Sequence, residues 1–350
     1  MNYERRKLGS SGITVPVICL GTMNWGQQNT QEEAYEQLDY AVNERGIDFI
    51  DTAEVYPVPP DAAKQGRTET YLGSWLHKRG KRDDLIIASK IGASHDIRTR
   101  SIDTPPRYNR KNIRDAFEGS LKRLQTDYLD LYQVHWPERK TNFFGVRGFT
   151  HLIEEETTSI YETLEALSEL VKEGKVRHIG VSNETPWGIM QYLHAAKEKG
   201  LEKIVSIQNQ YSLLNRTFEI GLSEMTMKED IGLLVYSALN MGVLSGKYLG
   251  GGKPEGARFT LYERNRDRYN PPHAQKAIQA YVDIAHTYDL DPNQMAIAFA
   301  MSRPFTTSVI LGATSVEQLK TDIDSVDLKL TAEILDEIEK IHTTMPDLTH

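Results

Sequence analysis

Four side chains of unlike chemistry stand near the ends of three consecutive apolar runs. Asp51 closes Phe49-Ile50-Asp51, and Tyr56 lies five residues further on. Lys90 closes Ile86-Ile87-Ala88-Ser89-Lys90, and His135 closes Leu131-Tyr132-Gln133-Val134-His135. If these runs are neighbouring strands, about 5 Å apart, the four side chains can converge. Such a set suits hydride transfer to a carbonyl, which leaves an alkoxide that needs a proton. A phenol can donate that proton, but its ordinary pKa of about 10 makes it a weak acid at neutral pH. An adjacent ammonium stabilises the phenolate and is expected to lower that value. Asp51 can pair with Lys90 and hold its charge beside the phenol, while His135 can hydrogen-bond the substrate oxygen and orient it. Each residue also has an ordinary use: a turn cap, a loop aromatic, a snorkelling lysine, a core imidazole. The combination favours a site, because a buried charge without a use or a partner is costly.

The elements that must carry these residues alternate along the chain. Eight apolar runs read as strands, at 17–20, 49–51, 85–89, 129–134, 178–181, 206–208, 233–236 and 308–311. Most are apolar throughout, as parallel strands covered on both faces are. Helical periodicity lies between them: Ile113, Phe117, Leu121 and Leu124 share one face, and Ile189, Leu193 and Ala196 another. The gap before the last strand has room for two extra helices, at 272–288 and 292–302. Eight β–α repeats predict a closed (β/α)8 TIM barrel, with residues 1–350 as a single domain. Segments 4–8 and 13–15 flank Gly9-Ser10-Ser11-Gly12 as an N-terminal β-hairpin. A terminal helix follows Thr331, with Leu335, Ile338 and Ile341 on one stripe. Long loops at 57–67, 137–158 and 250–271 each follow the C-terminal end of a strand. That rim is where barrels carry out chemistry, and loops of such length often bind or cover ligands.

Composition removes several classes of function. A net charge of −8 over 350 residues argues against general nucleic-acid binding, so an anionic cofactor requires a local basic site. Cys19, the single cysteine, sits in an apolar run and reads as a buried small hydrophobe. One cysteine makes no intrachain disulfide, which fits a reducing, cytoplasmic compartment. No apolar stretch reaches the roughly 20 residues of a membrane span. There is no HExxH and no cysteine pair for zinc, and Lys90 beside Asp51 and His135 would repel a metal ion. No GxGxxG follows a strand, so a Rossmann site is unsupported. Gly242-Val243-Leu244-Ser245-Gly246-Lys247-Tyr248 is one residue short of a P-loop, and Tyr248 replaces the required hydroxyl residue.

Several motifs, in order, carry a wider likeness. They are Asp51-Thr52-Ala53-Glu54-Val55-Tyr56, Ala88-Ser89-Lys90, Leu129 through Pro137, Ile179-Gly180-Val181-Ser182-Asn183 and Gln208 through Leu214. From about Leu8 to Ile341 the sequence resembles the aldo-keto reductases, most closely the bacterial Tas-like subgroup. The resemblance implies a tetrad of Asp51, Tyr56, Lys90 and His135, with Tyr56 as general acid. It implies NADPH bound extended, without a Rossmann domain. Ser182, Asn183 and Gln208 would meet the nicotinamide carboxamide, and Tyr236 would stack on its ring. Ser237 through Lys247, with Leu239 and Gly242 inside it, would meet the pyrophosphate through backbone amides. Lys247 and Arg258 would meet an adenosine 2′-phosphate. The segment from Gly312 to Asp322, with Thr314 and Gln318, resembles the adenosine-binding end. Most of the family carries asparagine where Asp322 stands, and many carry a basic residue near Thr314. NADPH is the expected cofactor because Lys247 and Arg258 supply two cations; NADH is the less favoured one. Family analogy puts Trp25 and Trp136 near the carbonyl, and Phe143 and Phe144 lie on the same rim, so aromatic walls are expected for apolar or aromatic substrates.

The expected activity is NADPH-dependent reduction of small aldehydes or ketones to alcohols. Two other readings stand beside it. A Schiff-base lyase would use Lys90 as nucleophile, which requires a neutral amine that Asp51 opposes. A regulatory subunit, similar to the barrel β-subunits of channels, would bind NADPH and turn over aldehydes slowly.

Overall fold

The apolar runs become the staves of a closed parallel barrel. The computed structural model describes residues 3–93, 106–149 and 156–349. A two-stranded antiparallel hairpin comes first, β1 (Arg5–Lys7) with β2 (Thr14–Pro16). The barrel follows: β3 (Ile18–Gly21), β4 (Phe49–Asp51), β5 (Ile86–Ile91), β6 (Leu129–Val134), β7 (Val176–Ser182), β8 (Ile204–Gln210), β9 (Gly232–Tyr236) and β10 (Thr306–Leu311). Neighbours pair in sequence order and β10 closes onto β3. All eight expected strands and the hairpin are present. Six strands run past their expected ends, β5, β7, β8 and β10 by two residues or more at one end: β5 continues to Ile91, β7 begins at Val176, β8 spans Ile204–Gln210 and β10 begins at Thr306, while β3 and β9 each gain one residue. Polar residues such as Lys90 and Gln210 extend the pairing, because they point into the barrel mouth rather than into apolar core.

Helices are α1 (Gln31–Leu38), α2 (Arg67–Arg79), α3 (Arg110–Leu124), α4 (Ile160–Lys172), α5 (Pro186–Lys199) and α6 (Leu222–Lys228). They continue with α7 (Arg258–Leu261), α8 (Arg266–Tyr269), α9 (Gln275–Thr287), α10 (Pro292–Met301), α11 (Val316–Asp324) and α12 (Ala332–Thr344). Local signals set their starts. Thr30 and Glu33 form a reciprocal capping box on α1, and Asn109, Ser159, Thr185, Asp291, Ser315 and Thr331 each accept a backbone N–H as N-cap. The two extra helices are α9, entered through a 3-10 turn at Pro272–Ala274, and α10. The expected long loop 250–271 holds α7 and α8, short helices whose four residues show no readable period. On α12 the buried positions are Ile334 and Ile338, with Leu335 and Ile341 half-buried, so the apolar stripe sits one residue from its expected centre.

The hairpin stops the lower end of the barrel. Leu8 and Val15 pack with Cys19, Phe49, Ala88, Leu131, Val205 and Leu234 in one buried cluster. Gly9, at φ 51°, makes this contact possible, since a Cβ there would lie 2.3 Å from the Val205 carbonyl oxygen. Strand alternation then builds the next layer upward. Two residues beyond Phe49, Ala88 and Leu131 come Asp51, Lys90 and Gln133, on the same inner faces. Asp51 is in register with Ala88, and Lys90 with Gln133. The barrel interior is therefore apolar below and polar above, and the polar layer faces the loops. No helix among the described residues is long and apolar enough to cross a membrane.

Candidate active site

The polar layer centres on Lys90, which is fully buried. Its Nζ donates to Asp51 Oδ2 at 2.5 Å, to the Thr52 carbonyl at 2.8 Å and to the Tyr56 hydroxyl at 3.3 Å. The second carboxylate oxygen of Asp51 accepts Gln208 Nε2 at 2.9 Å and Gln133 Nε2 at 3.3 Å. Both oxygens are thus bonded and the charge pair is buried without an orphaned acceptor, the condition under which burial is tolerated. The turn after β4 brings Tyr56 back over the strand ends, its ring edge-on to His135 with centroids 5.7 Å apart. The four side chains singled out in the sequence lie in one cluster at the barrel mouth.

Electrostatics assign protonation states. Burial pushes the Tyr56 phenol above its ordinary value, although the Lys90 ammonium pulls the other way. The sequence argument expected a net lowering; removal from water outweighs the neighbouring charge. The phenol is therefore protonated at neutral pH. Burial alone would depress Lys90, but Asp51 and Tyr56 together hold its ammonium above the ordinary range. His135 is pushed well below the usual imidazole value by burial and by Lys90. It is a neutral ring, with Nδ1 buried and without a hydrogen-bond partner.

Strand ends beyond the tetrad carry the amides. Asn183 Nδ2 donates to the His135 carbonyl and to Ser182 Oγ, both at 2.9 Å. Ser182 Oγ donates to the Gln208 carbonyl at 2.7 Å. Tyr236 donates its hydroxyl to Asn183 Oδ1 at 2.6 Å, which fixes the ring at the end of β9. After β9 the chain turns sharply, with Ser237, Asn240, Met241 and Gly242 all at positive φ. Leu239 at φ −88°, ψ 4° followed by Asn240 at φ 52° is the right-then-left sequence that turns successive amides into an anion-binding concavity. Lys247 folds its ammonium over this turn, 2.9 Å from where a Cβ on Gly242 would sit. Arg258 reaches from α7 across the mouth, donating to Asn24 Oδ1 at 2.8 Å, Gln28 Oε1 at 3.3 Å and the Val58 carbonyl at 3.0 Å. Thr314 donates its backbone and hydroxyl groups to Gln318 Oε1, beside Gly312.

Asp322, on α11, is 5% exposed. Burial, with Asp291 at the start of α10, pushes its carboxyl up to about 7, against the pull of Lys247. A carboxyl whose folded value exceeds the unfolded one, about 3.9, stabilises the fold fully at low pH and loses that contribution as pH rises through about 7. We therefore expect Asp322→Asn to raise the melting temperature at pH 8 and to change it clearly less at pH 5. A tenfold difference in proton affinity between the folded and unfolded states corresponds to about 1.4 kcal/mol, so the gain at pH 8 is at most about 4 kcal/mol. Thermal melts at both pH values test this, and an equal change at both would contradict it.

The substrate rim is aromatic. The His135 ring lies 4.7 Å from Trp136 and 6.5 Å from Phe144; Trp136 and Phe144 are 5.7 Å apart, and Phe143 stacks edge-on to Phe144 at 5.2 Å. Glu138 anchors this loop by accepting the Tyr108 and Thr158 backbone N–H groups at 2.6 and 2.7 Å. Residues 150–155 of the expected rim loop lie outside the described residues. Trp25 is not on the rim. It is fully buried in the core between barrel and helices, and its Nε1 donates to Gln37 at 3.0 Å. An apolar ring on a loop gains more by packing inward than by facing water. Two residues at the mouth escaped the sequence reading. Gln133 was legible as the one polar inner position below His135 on β6. Arg268, on α8, gave no signal, because it sits among other charged residues without a period.

Comparison with known proteins agrees with this geometry. The Aldo/keto reductase family profile matches residues 17–343. The chain is 52% identical over 342 residues to Protein tas of Escherichia coli, with 98% of each chain covered. It is 31% identical to Uncharacterized oxidoreductase YrpG of Bacillus subtilis, over 95% of this chain and 94% of that one. It is 28% identical to Norsolorinic acid reductase B of Aspergillus parasiticus, over the whole of this chain and 87% of the other. A buried Asp–Lys pair beneath a phenol, on a barrel matched over nearly its whole length, leads to one conclusion: the chain belongs to the aldo/keto reductase family.

Proposed function

We propose that the chain is one barrel domain that reduces small aldehydes and ketones to alcohols with NADPH, with Tyr56 as the proton donor. The observation that carries this reading is the Lys90 ammonium, bonded to Asp51 and 3.3 Å from the Tyr56 hydroxyl. A reduced nicotinamide, when bound, supplies hydride to the carbonyl carbon. Neutral His135 holds the carbonyl oxygen as hydrogen-bond donor beside Tyr56. The phenol gives its proton to the oxygen as negative charge develops there, and Lys90 stabilises the phenolate that remains. The fixed positions of Asp51, Gln133 and Gln208 keep the ammonium from turning away.

The residues present suit a pyridine dinucleotide. Amides of Asn183 and Gln208 match a carboxamide, and Tyr236 offers a ring face at the end of β9. The turn through Leu239 and Gly242, under Lys247, suits a pyrophosphate or phosphate. Arg258 supports NADPH over NADH, since its described bonds go to neutral oxygens and burial works against its charge. A cytoplasmic setting belongs to the same reading, resting on one buried thiol.

The test is NADPH oxidation with a panel of aldehydes, ketones and quinones. Arg258→Gln is expected to weaken NADPH binding about 10-fold, the scale of one charged contact, and NADH binding much less. Equal efficiency with both cofactors, unchanged in the variant, would reject the NADPH preference. No turnover of any carbonyl, with tight cofactor binding, would favour a regulatory subunit instead. A borohydride-trapped adduct on Lys90 would favour a lyase.

A further inference from the structure

An ionised carboxylate only accepts hydrogen bonds, an ammonium only donates them, and a side-chain amide does one at each end. These differences orient the amides at the barrel mouth. The Lys90 ammonium donates to Asp51 Oδ2 at 2.5 Å. Asp51 Oδ1 then accepts Gln208 Nε2 at 2.9 Å and Gln133 Nε2 at 3.3 Å. Both glutamines must therefore turn nitrogen, and not oxygen, toward the carboxylate. Gln133 closes a triangle, since its Oε1 accepts the second Gln208 hydrogen at 3.4 Å. Asp51 is 2% exposed, Gln133 0% and Gln208 3%. So little water reaches the three that a reversed amide would set oxygen against carboxylate without screening.

The orientation decides what Gln208 can offer a ligand. Its Nε2 carries two hydrogens, and both are used. No donor among the described residues reaches its Oε1. The neighbouring groups are spent in the same sense. Asn183 gives its two Nδ2 hydrogens to the His135 carbonyl and Ser182 Oγ, and the Ser182 hydroxyl donates to the Gln208 carbonyl. Asn183 Oδ1 accepts the Tyr236 hydroxyl and keeps one lone pair. What these strand ends leave for a ligand is acceptor oxygen.

Resting on the pyridine-nucleotide reading above, we propose that Asp51 is also a positioning residue for the cofactor: through Gln208 it makes the carboxamide subsite an acceptor, which reads the amino group of the carboxamide rather than its oxygen. One carboxylate thus serves two tasks, holding Lys90 through one oxygen and setting the polarity of the cofactor subsite through the other.

Calorimetric titration with NADP+ and with 3-acetylpyridine adenine dinucleotide phosphate tests this. The analogue carries a methyl group in place of the amino group, so its volume is similar and the amino hydrogens are gone. The readout is the ratio of the analogue's Kd to that of NADP+, in the wild type, Gln208→Met and Asp51→Asn. We expect a wild-type ratio of about 10 or more, the scale of a buried acceptor left unpaired. Gln208→Met removes that acceptor while both charges stay, and should lower the ratio several-fold. Asp51→Asn should lower it further. The asparagine oxygen stays with Lys90 and its nitrogen faces Gln208, whose amide then turns over and presents hydrogens to the amino group. A wild-type ratio near one, or a ratio unchanged in either variant, would overturn the assignment and leave the reductase reading intact. Failure of both dinucleotides to bind the wild type would overturn both. Gln208→Met and the wild type decide the matter even where Asp51→Asn does not fold.

Discussion

Tyr56→Phe is expected to lower kcat by about 10³-fold, within the range that general acids contribute, while the dissociation constant for NADPH stays within about twofold. The ring remains, so packing against Val55 and Ala53 in the small cluster over the mouth is retained. What disappears is the phenol proton, held between Lys90 and the His135 side of the site. The pH profile adds a sign that packing alone would not produce. Burial holds the Tyr56 phenol above its ordinary value of about 10, so the donor is fully protonated across the neutral range. Reduction in the wild type should be flat from neutral pH upward and fall only where the phenol ionises. Residual turnover in the variant should lack that fall. Stopped-flow or steady-state rates from about pH 6 upward, carried well past about pH 10, measure both features. A variant that keeps near-normal rates would remove Tyr56 from the chemistry.

The sequence made the barrel readable for a physical reason. Strands buried on both faces are continuous apolar runs, and eight of them alternate with helices whose caps are written in single residues such as Thr185 and Asp291. The tetrad was readable because ionisable residues at strand ends interrupt those runs. What the sequence could not show was direction and environment. Trp25 was expected at the rim and lies in the core, because the identity of a loop residue does not say which way its ring turns. The Tyr56 shift was expected downward from its neighbour's charge and goes upward, because the desolvation that decides it depends on packing by the whole mouth. The place of Arg268 at the mouth stayed hidden since its contacts include Phe144, Tyr236 and Gln210, on three other segments. Gln133 is an intermediate case: the alternation that buries Leu131 also turns Gln133 inward, and its amide then reaches Asp51.

The interior position of Lys90 makes a second large effect separable from the first. Lys90→Met should lower kcat at least as far as Tyr56→Phe, because the phenolate loses its stabilising charge. Unlike that variant, it should also destabilise the fold by roughly 3–5 kcal/mol, the cost of leaving one partner of a buried pair uncompensated. Asp51 is 2% exposed and would keep only its amide donors, Gln208 and Gln133. The double replacement Asp51→Asn with Lys90→Met removes both charges at similar volume. It should recover most of the lost stability and none of the lost rate. Chemical denaturation of the three proteins, read beside kcat, separates a structural ion pair from a catalytic one. The pH sign is also fixed: because Asp51 and Tyr56 hold Lys90 above its ordinary value, its contribution is complete below about 10.4 and is lost as pH rises through the higher folded value. If the single Lys90→Met variant were as stable as the wild type, the buried pair would not be holding the strand ends together. If the double variant regained activity along with stability, the ammonium would have no part in proton delivery.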